Sequence, residues 1–266
     1  MKLKSCRFVS EPESNRLECI SDLHFYRNQL DTFTSLLTLA SKHNTYPDGI
    51  NYRNSFVYYK VETEEDFFTK RFEDLYPSFF RTKKDINIEI PENVFIPDGN
   101  KKQFESYDFN SYSQIVDTYF LSSHLILSRK KYLLSKYFKN VKLENTISVS
   151  YFKDPIHGAP SFENYKNELN NLLDITNSKH IFLQTDDSEA VKFFKRQYGR
   201  KVIFLSEIDV RKKKKEFCFW YETALRIASE CGYVISGTNI VSMWLNLYRG
   251  STKNVFQFDE GLNETN

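Results

Sequence analysis

The chain has 266 residues, 37 Lys and Arg against 35 Asp and Glu, and a formal net charge of +2. That balance argues against a nucleic-acid binder, in which Lys and Arg far outnumber the acids. With 40% hydrophobic residues, 24 Phe and 17 Tyr, the chain can fill a packed core, which excludes a disordered tail.

The length suits one large α/β unit or two domains of roughly 130 residues each. The start, MKLKSCRFVSEPESN, has no apolar stretch of signal-peptide length, and no later segment is apolar for long enough to span a bilayer. The four cysteines have no CxxC spacing and fit reduced thiols, so the expectation is a soluble, cytoplasmic chain. Eight glycines are few for a nucleotide binder.

In residues 25–44, FYRNQLDTFTSLLTLASKHN, the side chains of Phe33, Leu36, Leu37 and Ala40 recur at i, i+3, i+4 and i+7 and predict a buried helix. Asp31 falls in its first turn, where the helix dipole favours a carboxylate. Arg27, Asn28 and Gln29 stand at the entrance, either as ordinary polar entry residues or as an anion contact beside free backbone N–H groups. NSFVYYKV reads as a strand, TEEDFFTKRFEDLYPSFF as a helix ending near Pro77, and DINIEIPENVFIPDGNKK, broken by prolines, as an edge strand or extended loop. Residues 111–138 form one long helix or two short ones.

From about residue 145 the pattern is regular. TISVSYF, HIFLQ, KVIFL, YVIS and NVFQF read as strands. Between them lie helical segments: SFENYKNELNNLLDI, capped by Ser161, with Phe162, Tyr165, Leu169, Leu172 and Leu173 on one face, and SEAVKFFKRQY, capped by Ser188. FCFWYETALRIASECG closes on Gly232 as a C′ residue, and VSMWLNLY ends at Gly250. Alternating apolar strands and amphipathic helices imply a mostly parallel sheet covered on both faces, so the second half reads as Rossmann-like.

Ligands of open α/β sheets bind beyond the carboxyl ends of the strands. ISVSYF runs into Lys153, Asp154 and His157; HIFLQ into Thr185, Asp186 and Asp187; YVIS into Gly237, Thr238, Asn239 and then Ser242. Each group has a plainer use. The Asp pair suits a metal but more commonly a helix entry, His157 is a base or an exposed loop residue, and the Gly-Thr-Asn turn is a common loop or a phosphate cradle. RKKKK at 211–215 is a solvated loop, or a contact with an anionic membrane surface or polyanion.

Three stretches resemble the GDP-fucose-dependent fucosyltransferases of the protein O-fucosyltransferase, α1,6- and α1,2-type superfamily. YRNQLDTFTSLLTLASKHNTY is similar to the first motif of that family, and HIFLQTDDSEAVKFFKRQYGRKVIFLSE to its strand–Thr-Asp–helix–strand segment. IASECGYVISGTNIVSMWLNLYRG is similar to its closing motif, a strand meeting a serine-bearing turn. The resemblance implies an α/β, GT-B-like fold of two Rossmann-like lobes, with an acceptor-side lobe at 1–140 and a donor lobe at 141–266. It implies inverting, metal-independent transfer of a sugar, fucose or a relative, from a nucleotide diphosphate, GDP-linked in the family, to a glycan or glycoconjugate. Asn28, Asp186 and Ser242 would stand at the donor.

Two departures stand out. The family has a His-x-Arg motif after the strand matched by ISVSYFKD, and its arginine neutralises the leaving pyrophosphate; Phe152 stands there, with Lys153 next. The family's glycines before Asn-Gln are replaced by residues 24–27. Lysine lacks arginine's bidentate fork. The expectation is therefore that Lys153, Arg27 or Arg249 carries the charge, that the donor differs, or that the chain is an inactive nucleotide-sugar or glycan-binding protein of the same fold. In the catalytic scheme Lys153 and Arg27 meet the diphosphate, with Asp154 or His157 as base. Asn28, Gln29, Thr185, Asp186, Asp187, Thr238, Asn239 and Ser242 bind the donor, and no cofactor or metal takes part.

Overall fold

The computed structural model describes residues 120–153, 160–209 and 217–258, together with residues 4–11, 30, 45–51, 56–59, 80–81 and 116–117. In chain order the strands of the first half are β1 (Lys4–Glu11), β2 (Thr45–Asn51), β3 (Phe56–Tyr59), β4 (Phe80–Arg81) and β5 (Leu121–Ser122). The second half runs α1 (His124–Tyr137), β6 (Thr146–Tyr151), α2 (Phe162–Ile175), β7 (His180–Thr185), α3 (Ser188–Tyr198), β8 (Val202–Ile203), α4 (Phe217–Ser229), β9 (Tyr233–Ser236), α5 (Ile240–Arg249) and β10 (Val255–Gln257).

The first half contributes a three-stranded sheet ordered β2-β1-β3, β1 being parallel to β2 and antiparallel to β3. β2 holds Pro47 at an edge, and the register skips a residue where Cys6 and Arg7 face Pro47 and Gly49. An edge with a bulge is where a strand tolerates proline. β1 falls in a segment to which the sequence pattern assigns no element. The expected helices at 31–44 and around 62–77 and the extended stretch from Asp85 lie outside the described residues. The 111–138 segment resolves into shorter pieces, with helical residues at 116–117, β5, and then α1 capped by Ser123, whose hydroxyl accepts from the Ile126 amide at 3.3 Å.

The second half is a five-stranded sheet ordered β10-β9-β6-β7-β8, with every pairing parallel. All six residues of β6 are buried, as expected of a strand covered on both faces. Ile147, Val149, Ile181, Leu183 and Ile235 meet Tyr165 and Leu169 of α2 and Ala190, Val191 and Phe194 of α3. On the other face Phe182 and Val234 share a core with α1, α4 and α5 through Ile126, Leu133, Tyr221, Leu225 and Trp244. The crossovers therefore put α2 and α3 on one side and α4 and α5 on the other, the doubly wound arrangement expected of a Rossmann-like sheet.

Local chemistry sets the element ends, with two corrections to the expected caps. Asp187, not Ser188, caps α3: its carboxylate accepts from the Glu189 amide at 2.7 Å, and Ser188 is the first helical residue. Gly232 is not a left-handed helix terminator. α4 stops at Ser229, and Gly232 donates its N–H to the Leu143 carbonyl at 2.9 Å. A Cβ there would lie 2.0 Å from the Glu144 carbonyl oxygen, so the glycine is required by close approach. Gly250 does end α5 in the left-handed region, at φ 64°. KVIFL pairs only at Val202 and Ile203 before a short turn of 3-10 helix takes over at Ser206–Ile208.

The two halves touch through α5 and α4. Leu30 is fully buried, and its carbonyl accepts the Trp244 indole N–H at 3.1 Å. Arg226 donates to the Phe120 carbonyl at 2.6 Å and to the buried Glu222 at 2.9 Å. Its guanidinium lies 3.3 Å from the centre of the Tyr248 ring.

Candidate functional site

The sheet order changes direction at β6. From there the chain moves outward through β7 to β8, then returns past β6 to β9 and β10. The carboxyl ends of β6 and β9 therefore flank the topological switch point, where open α/β sheets hold their ligands. Ser150 is registered with Ser236 across that point, and Tyr151 with Thr185 on the opposite side. The three strand ends expected to share an edge do so.

Lys153 and Asp187 are brought into direct contact, Nζ to Oδ2, at 2.8 Å. The lysine is 62% exposed and the aspartate 13%. The Asp187 hydrogen bond raises the Lys153 pKa, while partial burial works against it. For Asp187 the largest influence is burial, which pushes the carboxyl upward. The Lys153 hydrogen bond and the α3 amides together outweigh it and hold the group below its ordinary value. The cation is thus fixed at the edge by the residue that caps α3. Thr185, almost fully buried, accepts the Asp187 amide through its hydroxyl at 3.0 Å and shapes the same turn. Asp186, half-buried, directly follows the last residue of β7, the strand beside β6.

Beyond β9, Thr238 donates to the Phe258 carbonyl and accepts from Gln257 Nε2, both at 2.9 Å, which ties the turn to the last strand. Asn239 caps α5, its Oδ1 accepting the Ser242 amide at 3.0 Å. Ser242 is fully buried and turns its hydroxyl to the same oxygen at 3.3 Å. The turn serine therefore belongs to the cap rather than to an exposed ligand surface. Gly237 packs under Tyr165, to whose hydroxyl a Cβ there would come within 3.3 Å. Tyr165 in turn donates to the Ser150 carbonyl at 3.2 Å, fixing the floor of the switch point.

Arg249 is not at this edge. It donates to the carbonyls of Ser229, Cys231, Gly232 and Lys253, which lie at and beyond the amino end of β9. Burial pulls its pKa down, and its charge is engaged by backbone oxygens. It is removed as a candidate for the diphosphate charge. Phe152, at the position of the family's arginine, is 2% exposed and meets Tyr221 at 5.7 Å between ring centres. Arg27, Asn28, Gln29, Asp154, His157 and 211–215 lie outside the described residues. Of the opening motif, Leu30 is described, docked on α5 at Trp244. No group of three or more His, Cys, Asp or Glu among the described residues is arranged to hold a metal.

A buried polar row crosses this edge. Ser236, Ser150 and Gln184 are registered neighbours on β9, β6 and β7. All are fully buried, and their hydroxyls and both amide atoms of Gln184 have no hydrogen-bond partner among the described residues. The signal was present as polar residues inside otherwise apolar strands, in SVS, FLQ and VIS.

No protein-family model matches the chain, and no curated protein does. Among solved structures, the crystal structure of POFUT1 in complex with GDP overlays 97% of this chain and 98% of its own, with a TM-score of 0.48 and 12% sequence identity. Among the described residues no helix is long and apolar enough to cross a membrane.

Proposed function

We propose that the chain is a glycosyltransferase that takes a sugar from a nucleotide diphosphate, GDP-linked by the resemblance of its motifs, to a glycan or glycoconjugate with inversion and without a metal. The observation that carries this reading is the strand order. It sets a switch point between β6 and β9 with Lys153, Asp186 and the Asn239 cap on its surrounding strand ends. Residues 1–140 supply the acceptor-side lobe, with α1 at their end packing on the donor sheet, and 141–266 the donor lobe of a GT-B arrangement, the donor held between them. Lys153 meets the departing diphosphate, displacing its contact with Asp187, and Arg27 adds charge from the other lobe. Asp186, at the end of the strand beside β6, takes the ribose hydroxyls, as acids at that position of Rossmann-like sheets do. Thr185, Asp187, Thr238 and Asn239 shape the donor turns, Asn28 and Gln29 contact sugar or phosphate, and Asp154 or His157 receives the acceptor proton. The reaction is placed in the cytoplasm, on a surface polysaccharide or lipid-linked acceptor.

Charge builds on the diphosphate as the glycosidic bond breaks, and one preorganised donor is worth about 3 kcal/mol to such a transition state. Incubation with GDP-sugars should therefore release nucleotide, and Lys153→Ala should slow release about a hundredfold. Unaltered release by that variant removes Lys153 from the scheme. Burial of Phe152 at the family's arginine position favours a second reading, a nucleotide-sugar-binding subunit without turnover. It predicts stabilisation by nucleotide in thermal melts, worth about 2.7 kcal/mol at a hundredfold excess over Kd, with no release.

A further inference from the structure

The polar row Ser236–Ser150–Gln184 crosses the switch point on the face covered by α4 and α5. Registered residues of neighbouring parallel strands project to the same face, and two residues earlier that face carries Val234, Ser148 and Phe182, the last two being registered partners. Phe182 and Val234 belong to the apolar core beneath α1, α4 and α5. Ser148 is itself fully buried with an unmet hydroxyl among the described residues, so the polar character starts on β6 and widens to all three strands at their carboxyl ends, where ligands of this sheet type bind. Phe152 follows Ser150 by two residues along the chain and meets Tyr221 of α4, so a pair of aromatic rings adjoins the β6 end of the row.

Leaving one buried hydrogen-bonding group unmet costs about 1–3 kcal/mol, and buried polar side chains are accordingly almost always satisfied. Gln184 presents both a donor and an acceptor that are unmet among the described residues, beside two hydroxyls in the same condition. The row has no charge of its own. A phosphate buried on it would lack a counter-charge, which excludes the diphosphate as its occupant. A flat, neutral group with adjacent donors and acceptors on one edge matches it. A carboxamide pairs two-pronged with the edge of a base, and aromatic rings receive the base's face.

We propose that Gln184, with Ser150 and Ser236 beside it, reads the base of the bound nucleotide, and that Phe152 and Tyr221 swing aside to admit it. The assignment rests on the nucleotide-sugar function proposed above and adds to it the residue that selects which nucleotide is taken. Because a carboxamide can turn its donor and acceptor either way, the hydroxyls of Ser150 and Ser236 fix which base edge fits.

The test is calorimetric titration of the full chain with GDP, ADP, UDP and CDP, for the native protein, Gln184→Met and the double variant Ser150→Ala/Ser236→Ala. The native protein should prefer one base. Gln184→Met, close in volume and free of polar atoms, should weaken the preferred nucleotide by about tenfold to a hundredfold and leave the others nearly unchanged. The double variant should narrow the preference in the same direction. Thermal melts of the variants without nucleotide establish that they remain folded. Retained preference in Gln184→Met overturns the assignment while nucleotide binding stands. Equal weakening of all four nucleotides also overturns it, since it marks a structural role. Binding of none of them by the native protein overturns the parent function as well.

Discussion

The two edges of one sheet use the same kinds of residue for opposite ends. At the amino edge Arg249 gathers carbonyls from Ser229, Cys231, Gly232 and Lys253, while Gly232 lies against the Glu144 backbone. Charge and close packing there seal the backbone. At the carboxyl edge Lys153 is mostly exposed and held by one aspartate, and buried hydroxyls and an amide lack partners among the described residues. A cation whose charge is consumed by carbonyls holds the fold together, whereas a cation paired with a single exchangeable carboxylate can be drawn to a ligand. The amino edge should therefore govern stability and the carboxyl edge binding.

The largest expected effect tests the amino edge. Gly232→Ala puts a methyl carbon 2.0 Å from a backbone oxygen that has no side chain to rotate away. The β9 entrance or the Leu143–Asn145 turn must shift, and unfolding in urea should show a loss of about 3 kcal/mol. A loss below about 0.5 kcal/mol would show that the turn yields freely. Arg249→Met comes next. It keeps much of the aliphatic stem and strands several carbonyls, costing about 2 kcal/mol. Nucleotide affinity measured under folding conditions should be unchanged in both, and a selective fall in affinity would break the contrast between the edges.

Asn239→Ala is smaller and sits between the two behaviours. It removes the cap on α5, for about 1 kcal/mol, and it frees the Ser242 amide and hydroxyl that Asn239 now holds. If this turn serves the donor, affinity for nucleotide should fall together with stability, whereas Asn239→Ser should restore most of both. Rescue of stability without affinity would make the cap a purely structural device.

Much of the carboxyl edge was legible because its parts are local. Four helices and five parallel strands followed from apolar runs bounded by cap residues, and sequence alone pointed to the three polar strand ends. What was not legible depends on contacts across strands. The sequence gives no sign that Lys153 closes on Asp187, because that contact spans β6 and β7. Ser188 and Asp187 are both good caps, and the choice fell to the carboxylate that also meets Lys153. Arg249 and Gly232 depart from expectation for one reason: sequence offers Arg249 as a charge for the diphosphate and Gly232 as an end-of-helix glycine, and neither reading includes the distant backbone each one meets. Each is explained by a different part of the chain, the Leu143–Asn145 turn or the carbonyls leading into β9. Phe152 reads as a lost charge in sequence and as a core aromatic against Tyr221 in space.

The smallest expected effect is the most diagnostic of the carboxyl edge. Despite burial, the Lys153 hydrogen bond and the α3 amides hold the Asp187 carboxyl below its ordinary value, and Asp187 raises the pKa of Lys153. A depressed carboxyl contributes stability above its unfolded pKa and loses it as pH falls through the folded value. A raised lysine contributes below its unfolded pKa and loses it as pH rises through the folded one. The pair therefore acts between those limits, at full strength near neutrality and fading in acid below the ordinary carboxylate range. Lys153 is mostly in water, so solvent screening leaves the pair worth about 0.5 kcal/mol or less. Lys153→Met should lower stability by that amount at neutral pH, and the gap should close in acid once Asp187 is protonated, and also in high salt. A gap of the same size in acid would assign the loss to packing of the lysine stem. Closure would confirm an ion pair weak enough for a diphosphate to take the lysine from its carboxylate.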